Sequence, residues 1–230
     1  MVDNFWVIGD VAGEYDALLE LVALLPKDAK LVFVGDLNDR GPKTKEVIEF
    51  VMSGGHVALM GNHEHMFIDY IESRLDPTYK PHYDSGCFLY NGGVQTLKSY
   101  LGKPFWHYGD PEVDGLFSKD LEWIKARPVK FEAEGVIVTH APMLFGDVVA
   151  FDNMSVIDAV WNRDQIKPTP KFPDDKFQFF GHNGHYHEFS YERNDVYVGP
   201  QKYAICVDDS RNGKLTAVNW PSLEKIQVNF

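Results

Sequence analysis

The chain has 230 residues, of which 44% are hydrophobic and 14% aromatic, enough for one sizeable core in a single domain spanning residues 1–230. Its 34 acidic and 22 basic residues leave a net charge of −12, which argues against nucleic acid or an anionic membrane as partner and makes any phosphate chemistry depend on local cations. No apolar run nears the roughly 20 residues of a membrane span. The stretch "MVDNFWVIGD" has no secretory pattern, and Cys87 and Cys206 cannot build a disulfide framework, so a cytoplasmic protein is expected.

In chain order, "NFWVIG" reads as a short apolar strand, and "EYDALLELVALLP" as a helix with Leu18, Leu21, Val22 and Leu25 on one face, ended by Pro26. "LVFVG" is a second buried strand, followed by a helix that turns Val47, Ile48 and Val51 inward. "HVALMG" and "EHMFIDYIES" repeat the pattern, with Glu64 at the helix start, where a carboxylate suits the dipole. Alternating strands and helices predict parallel pairing through right-handed crossovers. Residues 74–130 are less regular and are read as short helices and loops forming a cap beside the active site. Strands resume at "GVIVTH", "FQFFG", "YAICVD" and "KLTAVNW", with "EKIQVNF" as an edge strand. The expected architecture is an α/β sandwich of two mixed β-sheets flanked by helices.

Five of these strands end on a polar residue: Asp10, Asp36 in "VGDLNDRG", Asn62 in "MGNHE", His140 in "VTHAP" and His182 in "FFGHNGH". Ligands of open α/β sheets gather outside the carboxyl ends of the strands. The steps from Asp10 to Asp36 and from Asp36 to Asn62 are equal and long enough for one crossover each, which lines up Asp, Asp and Asn on one rim. Taken singly, an Asp after a strand is usually a helix cap and a loop His is usually solvated. Together, the five make a hard-to-borderline donor set suited to Mn²⁺, Fe or Zn²⁺. A shared carboxylate can hold two such ions about 3.5–4 Å apart, an arrangement that activates water and clamps a phosphoryl group.

In order and spacing, "GDVAG", "GDLNDRG", "GNHE", "VTHAP" and "FFGH" resemble the signature of the PPP-type metallophosphoesterases, whose fold is the calcineurin-like sandwich. "LYNGG" and "AVWNRDQI" are similar to segments of the lambda-type serine/threonine phosphatase branch. The resemblance implies one divalent ion, most naturally Mn²⁺, held by Asp36, Asn62, His140 and His182. It implies a second held by Asp10, the shared Asp36 and the histidine of "GDxHG", where this chain has Ala12. His63 falls at the family's general acid, with Asp39 orienting it, and Arg40 and Arg163 fall at the arginines that grip phosphate.

The chain departs from the pattern in three places. Ala12 implies a weakened first metal position and reduced activity; it is either a natural loss or an introduced substitution, and the intact remainder of the site favours the second. "GHNGHYH" allows a rival register in which His185 and His187 supply the last ligands, although His182 directly follows the apolar strand. In "CVDDS" the role of Asp209 stays open. The resemblance implies a phosphomonoesterase acting on phosphorylated proteins or peptides. The alternatives are a dinucleoside polyphosphate hydrolase and a catalytically weak phosphoprotein-binding module.

Overall fold

The computed structural model describes residues 4–103, 118–142, 155–163, 176–183, 197–198, 204–208 and 210–230. The first strands and helices follow the expected alternation: β1 (Phe5–Ile8), α1 (Tyr15–Leu24), β2 (Leu31–Phe33), α2 (Thr44–Ser53), β3 (Val57–Ala58) and α3 (Asn62–Leu75). β1 pairs with β2 and β2 with β3, both in parallel. Every residue of β1 and β2 is buried, because both faces of these strands are covered, and this is why they read as apolar runs without alternation. In α2 the inward residues Val47, Ile48 and Val51 are fully buried, each contributing about 1.5–3 kcal/mol of transfer free energy.

β3 is shorter than the run "HVALMG" suggests, because its backbone changes partner. Leu59 N–H still donates to the Phe33 carbonyl, but Met60 N–H donates to Pro128 O at 2.8 Å. The region expected to form a cap contains α4 (Ser85–Phe88), a turn over Leu89–Gly93 kinked at Gly92 (φ 108°), α5 (Val94–Leu101) and α6 (Ser118–Lys125), while residues 104–117 lie outside the described residues.

The second half supplies β4 (Lys130–Ala133), β5 (Val136–Thr139), α7 (Val156–Trp161), β6 (Phe177–Phe180), β7 (Tyr197–Val198), β8 (Ala204–Cys206), β9 (Lys214–Trp220) and β10 (Lys225–Asn229). β4 was not anticipated from the sequence. It forms a hairpin with β5 across Glu134 and Gly135, and Gly135 takes a positive φ that glycine adopts without strain.

The strands form two five-stranded sheets, ordered β10-β9-β1-β2-β3 and β4-β5-β6-β8-β7. Each mixes parallel and antiparallel pairs; the antiparallel β9–β10 hairpin joins the first sheet against β1, and β5, β6 and β8 run parallel in the second. One apolar layer, including Val7, Val34, Val138, Phe179 and Val218, lies between the sheets. A larger core joins the outer face of the first sheet to the helices through Ile8, Phe33, Leu18, Ile48 and Phe67. Among the described residues no helix is long and apolar enough to cross a membrane. The carboxyl ends of β1, β2, β5 and β6 meet at one rim.

Candidate active site

Each rim residue is presented by the turn that follows its strand. Asp36, three residues beyond the end of β2 at Phe33, takes a left-handed backbone conformation with φ 50°. Asn62 opens α3, and His140 and His182 follow β5 and β6. Among the described residues six non-glycine residues have positive φ; Ala12, Asp36, Asp39, Arg40 and His182 belong to this rim, and only Leu223 lies elsewhere. Such conformations cost about 1–3 kcal/mol each and persist where the surroundings enforce them.

Glycine is required here for close approach. A Cβ on Gly61 would stand 2.3 Å from Asp36 Oδ1, and one on Gly181 would stand 2.1 Å from Asp10 Oδ1. The glycines of "GNHE" and "FFGH" therefore make room for the two carboxylates.

Ligand atoms of Asp36, His140 and His182 lie within 4.8 Å of one another. His140 Nδ1–H donates to the Val34 carbonyl at 3.0 Å, which leaves a lone pair on Nε2. That nitrogen faces two oxygens, Asn62 Oδ1 at 3.0 Å and Asp36 Oδ1 at 3.3 Å. His182 Nδ1 is 2.8 Å from the same Asn62 oxygen, and His182 Nε2 is buried without a hydrogen-bond partner. Burial keeps both imidazoles below the ordinary histidine range. Lone pairs on both imidazoles, Asn62 and Asp36 thus converge with too few protons between them, and this donor set fits a divalent cation.

Asp36 is held well below the usual carboxylate range; burial opposes this, but His140, His63 and Arg40 outweigh it. Asp10 is pushed well above that range by burial and by the neighbouring Asp208 and Asp36 carboxylates. Its oxygens accept from the His182 backbone N–H at 3.2 and 3.3 Å, so β1 and β6 are joined at the rim. Ala12 is buried, donates its N–H to Asp36 O and accepts from Gly41 N–H, both at 2.8 Å.

Beside this cluster, His63 Nδ1 lies 2.5 Å from Asp39 Oδ2, and His63 Nε2 lies 2.6 Å from Arg40 Nη2. With Nδ1–H donating to the carboxylate, a neutral ring accepts from the arginine. Burial pulls the imidazole down, but Asp36 and Asp39 outweigh it and hold His63 above the ordinary histidine value. Asp39 also accepts from Thr96 Oγ1 at 2.6 Å and from Asn38 Nδ2 at 2.9 Å, while burial pushes its carboxyl up. The kinked turn at Gly92 braces Arg40 from outside, with Arg40 N–H donating to Gly92 O at 3.2 Å. Arg163 is exposed and reaches Asn183 Oδ1, next to His182, at 3.3 Å.

The structure thus brings Asp36, Asn62, His140 and His182 into one cluster, with Asp10 tied to its backbone. His63, Asp39 and Arg40 stand beside it, and Arg163 at its edge. His185, His187 and Asp209 lie outside the described residues.

Two neighbours of this site were not recognised in the sequence. Glu64 was read as a helix-start carboxylate, and its Oε2 does accept from Gly61 N–H. It also accepts from Asp36 N–H at 2.8 Å and, through Oε1, from Leu37 N–H at 2.7 Å, so it clamps the β2 turn to α3. Asp208 is buried near Asp10, with Oδ1 taken by Ser210 and Oδ2 lacking a hydrogen-bond partner. It follows β8 as Asp10 follows β1, so the strand-end rule could have found it.

An α/β sandwich whose strand ends converge on carboxylate, amide and imidazole donors has the architecture of a metal-dependent hydrolase. The profile of the calcineurin-like phosphoesterases matches residues 4–201, and the chain belongs to that family. It is 27% identical over 172 residues to the serine/threonine-protein phosphatase 2 of Salmonella typhimurium, covering 71% of this chain and 69% of that protein. It is 28% identical over 144 residues to the symmetrical bis(5'-nucleosyl)-tetraphosphatase of Methylobacillus flagellatus, covering 60% of this chain and 43% of that one. A crystal structure of a protein proposed to be a diadenosine tetraphosphatase superposes with a TM-score of 0.65 at 18% identity, over 100% of this chain and 94% of the other.

Proposed function

We propose that the chain is a phosphomonoesterase that removes phosphate from serine or threonine residues of phosphorylated proteins or peptides, using two divalent metal ions, with Mn²⁺ the first candidate and Fe or Zn²⁺ the alternatives. The observation that carries this reading is the His63–Asp39 pair standing directly beside the convergent donors of Asp36, Asn62, His140 and His182. Those four residues would hold one divalent ion, and Asp10 with the shared Asp36 a second; when bound, the ions would polarise the phosphoryl group and acidify water at neutral pH.

The chain's own residues do the rest. Arg40 and Arg163 grip the phosphate oxygens and provide the positive charge that the acidic surface withholds. A phosphate dianion at Arg40 takes up donors that otherwise cap His63 Nε2, which frees that nitrogen to carry a proton. His63, held in one orientation by Asp39, then gives the proton to the leaving oxygen as a water oxygen bonds to phosphorus and the ester P–O bond breaks. Ala12 removes one ligand-type side chain from the Asp10 side, so this form works below the rate of a chain with histidine there.

A second reading, hydrolysis of dinucleoside tetraphosphates, is favoured by the similarity to the Methylobacillus protein. The test is turnover of a phosphothreonine peptide and of diadenosine tetraphosphate, side by side, with added Mn²⁺. The proposal expects the larger kcat/KM on the peptide; the reverse ranking overturns it in favour of the second reading.

A further inference from the structure

A second group of ligand-type side chains lies away from the rim. His65 and Asp69 stand one turn apart on α3, and His82 reaches them from the segment before α4. Ligand atoms of the three lie within 4.8 Å of one another. The His65 and His82 rings have centroids 5.0 Å apart, and His82 Nδ1 is 3.7 Å from Asp69 Oδ1.

The Asp69 carboxylate is buried and held in place. Tyr79 Oη donates to Oδ1 at 2.7 Å, and the backbone N–H groups of His82 and Tyr83 donate to Oδ2 at 2.7 and 3.1 Å. Outer hydrogen bonds of this kind orient the carboxylates of metal sites. His65 is buried, and its Nδ1 has no hydrogen-bond partner. An ion pair between protonated His82 and Asp69 would satisfy the carboxylate and leave His65 unexplained. Two imidazoles this close cannot both carry a proton cheaply, whereas a cation accepts a lone pair from each.

We propose that His65, Asp69 and His82 form a binding site for a divalent transition-metal ion, best suited to Zn²⁺, separate from the rim at Asp36. Two imidazoles and one carboxylate are borderline donors of the kind Zn²⁺ takes, with water as a fourth ligand. Metal–ligand bonds of about 2.0–2.2 Å put the donor atoms of a tetrahedral ion about 3.3 Å apart, so the cluster must contract on loading. The His82 side chain is 55% exposed and can supply that movement without disturbing the core. An ion here would fasten α3, whose first turn carries Asn62 and His63, to the segment that leads into α4.

The experiment strips metal from the whole 230-residue chain, dialyses it against Zn²⁺ alone and counts bound metal by elemental analysis. The parent is compared with His82→Ala, His65→Ala and His182→Ala. His82→Ala removes an exposed ring and should bind one equivalent less than the parent. His182→Ala should keep that equivalent, and in the double variant the two losses should add. Saturating Zn²⁺ should also raise the melting temperature of the parent more than that of His82→Ala. Equal zinc content in the parent and His82→Ala across the titration overturns the proposal, whether or not His65→Ala folds.

Discussion

His63 is gripped at both ring nitrogens, by Asp39 on one side and Arg40 on the other. In the proposed reaction His63 is the proton donor, and its help matters only where the leaving group needs a proton. His63→Ala should therefore lower turnover of alkyl phosphates by about 10²–10⁴-fold and of activated aryl phosphates far less. Parallel assays on phosphoserine peptide and p-nitrophenyl phosphate decide this, and equal losses would remove His63 from the role. Ala12 offers the converse test. Its backbone is pinned at both N–H and C=O to the loop between β2 and α2, while its methyl group provides no lone pair beside Asp10. Since even outer-shell changes alter metal sites about 10–100-fold, Ala12→His should raise turnover by at least that much and lower the Mn²⁺ concentration needed for half-maximal rate. Identical Mn²⁺ titrations of the two proteins would show that position 12 supplies nothing to the site.

Among the elements, the join between the β2 turn and α3 depends on Glu64, which is buried and accepts three backbone N–H groups. Glu64→Gln turns an amide N–H₂ toward those donors. Leaving one buried donor unmet costs about 1–3 kcal/mol, and the misplaced Asp36 should lower metal affinity as well. Thermal melts with and without Mn²⁺ check this, and a variant matching the parent in both would mean that the clamp is dispensable. Periodicity made α1 and α2 legible because burial on one face leaves a pattern in sequence, whereas the parallel strands β1 and β2 were legible as unbroken apolar runs. The strand-end residues were legible because "GDLNDRG" and "GNHE" keep their ligands within a few residues of each other. Glu64 and Thr96 were not, since a bracing carboxylate at a helix start looks like any dipole-matching residue and the contact between Thr96 and Asp39 spans two elements. β3 was overestimated for a related reason: Met60 is apolar like its neighbours, and only the folded chain reveals that its N–H turns to Pro128.

At the scale of the molecule, the rim draws Asp10 and Asp36 from one sheet and His140 and His182 from the other, so a bound cation fastens the two sheets together. In the metal-free chain Asp10 has a raised pKa. Its contribution to stability is therefore present below the unfolded carboxylate value and is lost as pH rises through the folded one. A cation takes the place of that proton, so the stabilisation conferred by metal should grow from acid to neutral pH. At about 100 times Kd it should reach about 2.7 kcal/mol. Melting temperatures with Mn²⁺ and with EDTA, from pH 5 to 8, measure the difference, and a gap that shrinks with rising pH would contradict the account. The pairing of β1 with β9 bears on how the protein is made. Phe5 lies opposite Trp220, so one side of the first strand is closed by a strand made long after it. Until then β1 is an unpaired edge of the kind that recruits foreign strands, and at about 5–20 residues per second that exposure lasts for many seconds. The first sheet therefore closes late, and the site at Asp10 takes its final form only once β9 has been made and paired with β1.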